Sequence, residues 1–233
     1  MKGRNLNVRS LEHPNVRSRR RTMGASLALG VSLTLAAAGS HAGILRDVMI
    51  KMGVAKPESP AGSQTLPRQG FACCVLHYKH DWISDSNYAE LPIIPAGTPI
   101  EVISYGSNRA YVKVDGKPMR LGHEYGREQE KLEDWVDKIV VKDDPRVRIA
   151  TYPASVQEAI RLGKVMVGMT RAQAIAAVGY PMASENVSLD APTWRIWRSS
   201  SGEYDLNFGA DGRIKTITGD AGVTSLVIYQ PGR

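Results

Sequence analysis

The apolar positions of this chain change period along its length, and each change marks a candidate element. Between residues 71 and 125 the pattern is one of short alternating runs broken by turns. Ile100 and Val102 flank Glu101 in the run Ile100 to Tyr105, Gly106-Ser107-Asn108 makes a turn, and Ala110 to Val114 follows with Tyr111 opposite Val112. Asp115-Gly116 is a two-residue hairpin signal that leads into Pro118-Met119-Arg120-Leu121. Prolines at 92, 95 and 99 place the approach to the first of these runs at an edge or in a loop. Several short strands within so few residues predict a small, open, SH3-like barrel or sheet. From Arg127 the period becomes helical. Leu132, Trp135, Val136 and Ile139 line one side, with Glu128, Glu130, Lys131, Glu133 and Asp134 between them. That spacing predicts an amphipathic helix of about three turns, and Asp143-Asp144-Pro145 ends it and opens a connector.

The C-terminal third carries the clearest local grammar. Ser155 with Glu158 reads as a capping box, Val156, Ala159 and Ile160 form a short stripe, and Gly163 stops the helix. Thr170 reads as a second N-cap, with Gln173 three residues on. Ala172, Ile175, Ala176 and Val178 supply its apolar side, and Gly179 and Pro181 terminate it. Three strands follow. Trp194, Ile196 and Trp197 lie in Thr193 to Arg198; Tyr204, Leu206 and Phe208 alternate with Glu203, Asp205 and Asn207; and Arg213 to Thr218 returns after Asp211-Gly212. The alternation breaks between Ile214 and Ile217, which predicts a bulge or a strand end, and Val223 to Tyr229 reads as a fourth strand. The fold class expected is α+β. An N-terminal β-rich module plus a helix precedes a C-terminal helix–helix–antiparallel-sheet domain, ααβββ.

Composition changes this picture mainly at the N-terminus. The chain has 233 residues and a formal net charge of +7. Seven basic residues fall in the first 22, whereas residues 23–42 hold no charged side chain. Beyond residue 42 the basic and acidic residues number 23 and 22, so the basicity belongs to the leader and a nucleic-acid surface is excluded. A basic region ending at Arg19-Arg20-Arg21, a stretch with Leu27, Leu29, Val31, Leu33 and Leu35, and Ser40-His41-Ala42 as a cleavage site predict a secretory signal over 1–42. An N-terminal anchor is the other reading of the same stretch. Residues 43–70 are expected to hold a short helix (43–52) and a Pro/Ser/Gly-rich linker (55–70). The further expected boundaries are 71–125 for the β-rich module, 126–152 for the helix and connector, and 153–233 for the last domain.

Candidate chemistry is sparse. Cys73 and Cys74 are the only cysteines, and adjacent cysteines are not expected to bond each other, because the small ring strains the peptide. Cys73, Cys74, His77 and His80 are metal-ligand types at close spacing. A strand splits them between two faces, whereas a helix would gather Cys73, His77 and His80. The apolar surroundings favour a strand, with buried cysteines beside ordinary histidines. Asp81, Asp85 and Glu90 near Trp82 are the types a sugar-cleaving carboxylate pair needs, without a spacing that fixes them. There is no nucleophile elbow and no Gly-rich phosphate loop. The expectation is therefore no enzyme, no catalytic residue, no metal and no cofactor. Trp197 lies on the opposite strand face from Trp194 and Ile196, which makes it the candidate partner-binding anchor.

In residues 153–219 the run Gly163-Lys164-Val165, Gly168-Met169-Thr170, Gly179-x-Pro181, Trp194 to Trp197, Tyr204 to Phe208 and Asp211-Gly212-Arg213 resembles the BamE (SmpA/OmlA) family. The resemblance implies a BamE-like fold of two helices on an antiparallel sheet. It also implies a periplasmic, outer-membrane-associated setting, and a protein partner in the assembly of outer-membrane proteins. Family members are small lipoproteins. Here no lipidation cysteine follows the apolar stretch, and between the leader and the matching region lies an N-terminal region of about 100 residues that the family core lacks. The matched residues Gly168, Met169, Thr170, Gly179, Pro181, Trp194, Phe208 and Gly212 carry structural roles. The alternative expectation is an inhibitor-like or peptidoglycan-binding envelope module.

Overall fold

A computed structural model describes residues 65–232. The signal sequence, the short helix at 43–52 and most of the linker expected from the sequence lie outside the described residues. The first elements are β1 (Arg68–Ala72), β2 (Leu76–His77), β3 (Trp82–Ser84), β4 (Ile93–Ile94), β5 (Pro99–Tyr105), β6 (Arg109–Val114) and β7 (Lys117–Gly122). The β6–β7 turn has positive φ at both Asp115 (48°) and Gly116 (76°), the backbone a tight two-residue hairpin needs. Helix α1 (Leu132–Ile139) follows, then β8 (Val140–Val141) and α2 (Pro145–Ile149), whose first turn is capped by the Asp144 carboxylate accepting from Arg146 N–H.

Strands β3, β7, β6, β5, β1 and β8 form, in that order, one six-stranded sheet. All its pairs are antiparallel except β3 with β7. The sheet curls into a half-barrel. Val102, Ala110, Val112 and Leu121 point into it, and the α1 stripe of Leu132, Trp135, Val136 and Ile139 closes it. Each buried Val, Leu or Ile side chain among these stabilises the fold by roughly 1.5–3 kcal/mol.

The remaining elements are α3 (Ala154–Arg161), α4 (Arg171–Val178), β9 (Thr193–Ser199), β10 (Gly202–Phe208), β11 (Ile214–Gly219) and α5 (Ala221–Val227). The strands make a three-stranded antiparallel sheet with β10 central. A second core joins Val156, Ala159, Ile160, Met169 and Val178 to Trp194, Tyr204, Leu206, Phe208 and Ile214. Residues 73–77 run between the cores: Cys73, Cys74 and Leu76 belong to the first and Val75 to the second. The described residues, 65–232, fall within one compact unit.

Several expectations are overturned here. Strand outweighs helix, 35% to 21%, and the dominant element is the six-stranded mixed sheet, so neither an SH3-like module nor a BamE-like ααβββ arrangement describes the molecule. The sheet recruits β1 from the stretch expected as linker and β8 from the helix and connector region, and it adds a parallel strand, β3. Pairings between segments this far apart leave no trace in local periodicity. The stretch read as a fourth strand is helix α5, because Asp220 accepts from the N–H groups of Gly222 and Val223 and so starts a helix where β-branched residues favour a strand. The capping box at Ser155 does not form. Pro153 takes the N-cap position, and Glu158 pairs with Arg161 instead. The box at Thr170 and Gln173 does form. The expected break in the last strand is a register shift, Asn207 facing Thr216 and Phe208 facing Ile214.

Candidate functional site

The side chains with chemical potential fall into a closed joint and an open face. The joint begins at Cys73 and Cys74. They are bonded to each other, against the expectation for adjacent cysteines, and both are buried. The backbone there is held from both sides: Cys73 N–H donates to Ile139 O (2.9 Å), and Val75 N–H donates to Ala176 O (3.0 Å). Asn87, at φ 45°, completes the clamp. Its carboxamide oxygen accepts from His77 N–H (2.7 Å), and its nitrogen donates to Val75 O (3.2 Å) and Val178 O (2.9 Å). Gly179 is required beside it, because at φ 79° a Cβ would come within 2.5 Å of Asn87 Nδ2.

His77 is buried in this joint, and neither ring nitrogen has a hydrogen-bond partner. Burial lowers its pKa to about 4, so the ring is neutral. His123 is equally buried but fully engaged. Its Nδ1 lies 2.9 Å from Asp85 Oδ2, its Nε2 lies 2.9 Å from Glu130 O, and its ring stacks on Trp135 at 5.1 Å. Both nitrogens face acceptors, so both must donate and the ring is a cation. Burial opposes that charge, but the bonds to Asp85 and Glu130 outweigh it and raise the His123 pKa. Asp85 also accepts from Tyr125 N–H (3.0 Å) and Gly126 N–H (2.9 Å). Burial pushes its carboxyl up, whereas His123 and these backbone donors pull it down further. Both side chains of the pair are almost fully withdrawn from solvent, and His123 borders a small cavity of 260 Å³ lined also by Ser107, Asn108 and Arg127.

The other chemistry-bearing types from the sequence do not converge. Asp81 pairs with Arg120 at 2.7 Å and Glu90 with Arg198 at 3.4 Å, whereas Asp85 pairs with His123. Among the described residues no group of three or more His, Cys, Asp or Glu could hold a metal ion.

The open face is the outer side of the β9–β10–β11 sheet and the loop 180–189 beside it. Trp194, Ile196, Tyr204 and Leu206 turn inward, so Thr193, Arg195, Trp197, Glu203 and Asp205 turn outward. These outward residues line a cleft of 490 Å³ together with Glu185 and Asn186. Trp197 is half-buried, and its Nε1–H donates to Glu185 Oε2 at 3.0 Å, which holds the ring in the cleft wall. Arg195 Nε donates to Asp205 Oδ1 at 3.1 Å, and that bond raises the guanidinium's pKa. A second groove of 650 Å³ lies on the other side of Asn186, between α1 and the loop. Lys138 lies 5.2 Å from the Tyr180 ring centroid there, and Val187 projects into solvent, 99% exposed.

Comparison with protein-family models, with curated proteins and with solved structures returns no match for this chain.

The residues singled out by motif lie mostly beneath the open face. Trp194 is fully buried and meets Phe208 edge-on at 4.7 Å, with Arg171 over both rings. Met169 is buried, Pro181 is buried at the start of the loop, and Thr170 caps α4. Gly168 (φ 92°) and Gly212 (φ 70°) turn the chain around the β11 start, where Arg213 donates to Gly168 O. Of these candidates Trp197 lines the cleft, and Pro181 lines the groove beside it. Sequence reasoning missed the Asp85–His123 pair and the Asn87 clamp, whose partners are scattered along the chain with no spacing signal between them. The groove between α1 and the loop was equally invisible, although the Trp135 helix was in view.

Proposed function

We propose that this protein is a non-enzymatic, partner-binding protein of the cell envelope that docks a periplasmic or outer-membrane protein on the face around Trp197. The observation that carries this reading is the cleft itself. A tryptophan ring is held at its wall by Glu185, flanked by the Arg195–Asp205 pair and continuous through Asn186 with a groove bearing the exposed Val187. Rigid aromatic anchors set among polar partners are what binding hot spots are made of. The envelope setting rests on the signal-like leader, and a role in outer-membrane protein assembly rests on the motif resemblance in 153–219. The test is a photoreactive residue placed at Val187 in living cells, followed by identification of the crosslinked proteins. Barrel-assembly subunits support the reading. Crosslinks confined to cytoplasmic proteins refute it.

A second reading, a module contacting peptidoglycan, is favoured by the outer side of the larger sheet. The Trp82 ring lies over Gly122, where no Cβ blocks it, with Arg109 at 5.5 Å and Arg120 at 4.9 Å from its centroid. Tyr111 is exposed opposite Arg120. Retention on purified sacculi that is lost in Trp82→Ala supports this reading over the first.

A further inference from the structure

The two edges of the three-stranded sheet are finished differently. On the β9 edge the Asn186 side chain substitutes for a neighbouring strand: its oxygen accepts from Arg195 N–H (2.8 Å) and its nitrogen donates to Arg195 O (3.0 Å). Glu90 N–H then covers Arg198 O (3.0 Å). On the β11 edge only the first residue is covered, Ile214 donating to Met169 O and accepting from Gly168 N–H. Beyond it the edge is open. Phe208 N–H turns toward Pro192, on the β9 side, so by alternation Leu206 and Tyr204 also face β9, and Asn207 and Asp205 face β11. Thr216 and Thr218, opposite Asn207 and Asp205, therefore spend their backbone groups inward, and Ile217 turns its N–H and C=O outward. Among the described residues no backbone group outside the sheet is hydrogen-bonded to Ile217, and Thr216 and Thr218 are exposed on either side.

We propose that β11 is the docking edge for a second copy of this chain, paired antiparallel about a two-fold axis through Ile217. In that register Ile217 exchanges both hydrogen bonds with its counterpart, and Thr216 faces Thr218 of the other copy at a close, non-hydrogen-bonded position, a favourable cross-strand pair. The charges select the antiparallel direction. Lys215 stands at one end of β11 and Asp220 just past the other, so two-fold pairing brings each Lys215 beside the other copy's Asp220. A parallel pairing would set Lys215 against Lys215. The devices that blunt exposed edges are almost missing, since Lys215 is the one charged residue of the strand and it is already paired with Asp211. The product is a continuous six-stranded antiparallel sheet. Its two Trp197 rings share one face, on strands about 24 Å apart at the usual spacing, which makes the Trp197 face bivalent. The pairing itself does not depend on what Trp197 binds.

Sedimentation velocity on the full chain, from micromolar to hundreds of micromolar, tests the proposal. A monomer–dimer equilibrium is expected. Thr216→Lys combined with Thr218→Lys sets like charges across the dyad on the solvent side and weakens the dimer at least 10-fold, with an unchanged circular dichroism spectrum. Ile217→Pro removes the central outward N–H, a change edge strands tolerate, and has the same effect. Lys215→Glu weakens the dimer, most strongly at low salt. A chain that stays monomeric throughout, or a dimer indifferent to the first two variants, overturns the proposal. So does a dimer broken only by Trp197→Ala.

Discussion

The joint between residues 73 and 87 and the sheet face around Trp197 are built from similar polar side chains and use them in opposite ways. In the joint, Asn87 and the His123–Asp85 pair spend their polar atoms on neighbours, and nothing is left for solvent. On the face, the Trp197 ring has a single bond through its indole nitrogen, and Arg195 and Asp205 hold each other in the lining of an open cleft. Cys73, Cys74, His77 and Asp85, of the residue types that first suggest chemistry, are buried. Closure gives the joint its rigidity and removes it from recognition. The face contributes little to folding and retains a surface to offer. The joint also contains its own contrast, because His123 is a paired cation and His77 a neutral ring without partners.

The largest expected effect follows from breaking the paired half of that contrast. Asp85→Ala leaves the His123 ring buried without its counter-charge, and stability at neutral pH falls by about 3–5 kcal/mol in a denaturant titration. A loss below about 1 kcal/mol would show that the pair is solvated.

The next effect is a pH dependence. The folded pKa of His77 is about 4, below its ordinary 6.5, so between these values the unfolded state binds the proton and the folded state resists it. Stability from this residue is intact above 6.5 and is lost as pH falls toward 4, by up to about 3 kcal/mol. His123 has the opposite sign. Its raised pKa gives stability that is full below 6.5 and fades as pH rises through the folded value. His77→Leu therefore flattens the acid limb of the stability profile and leaves the alkaline limb in place. A profile unchanged between pH 4 and 6.5 would contradict the neutral assignment.

Two glycines sharpen the distinction between closed and open sites. Gly179 and Gly168 both have positive φ, but a Cβ at Gly179 meets Asn87 at 2.5 Å, whereas one at Gly168 meets nothing within 4 Å. Gly179→Ala is expected to cost roughly 1–2 kcal/mol more than Gly168→Ala, read from midpoint differences at constant slope. The smallest effect on folding belongs to Trp197→Ala, within about 1 kcal/mol, because the ring lies on the solvent side of β9.

What could be read in advance was local. The stripe of Leu132, Trp135, Val136 and Ile139, the Asp115-Gly116 turn, the Thr170 cap and the alternation of Tyr204, Leu206 and Phe208 each depend on residues a few positions apart. The opposed faces of Trp194 and Trp197 follow from strand period alone, which is why the anchor of the open face was legible. The pairing of β1 with β8 and the parallel pairing of β3 with β7 join distant segments and could not be read. Asp220 overrode the β-branched residues after it with two capping bonds, and Pro153 displaced Ser155 from its cap. His123 reaches Asp85 across 38 residues, and only the completed sheet brings them together.

The central claim is that recognition lies on the Trp197 face while the sealed joint maintains the fold. Its most direct measurement is the affinity of the partner captured through Val187 for the unaltered chain and for Trp197→Ala, by titration calorimetry beside a thermal melt. The account predicts binding weakened at least 10-fold with the melting temperature essentially unchanged. Equal affinities in the two proteins would contradict it.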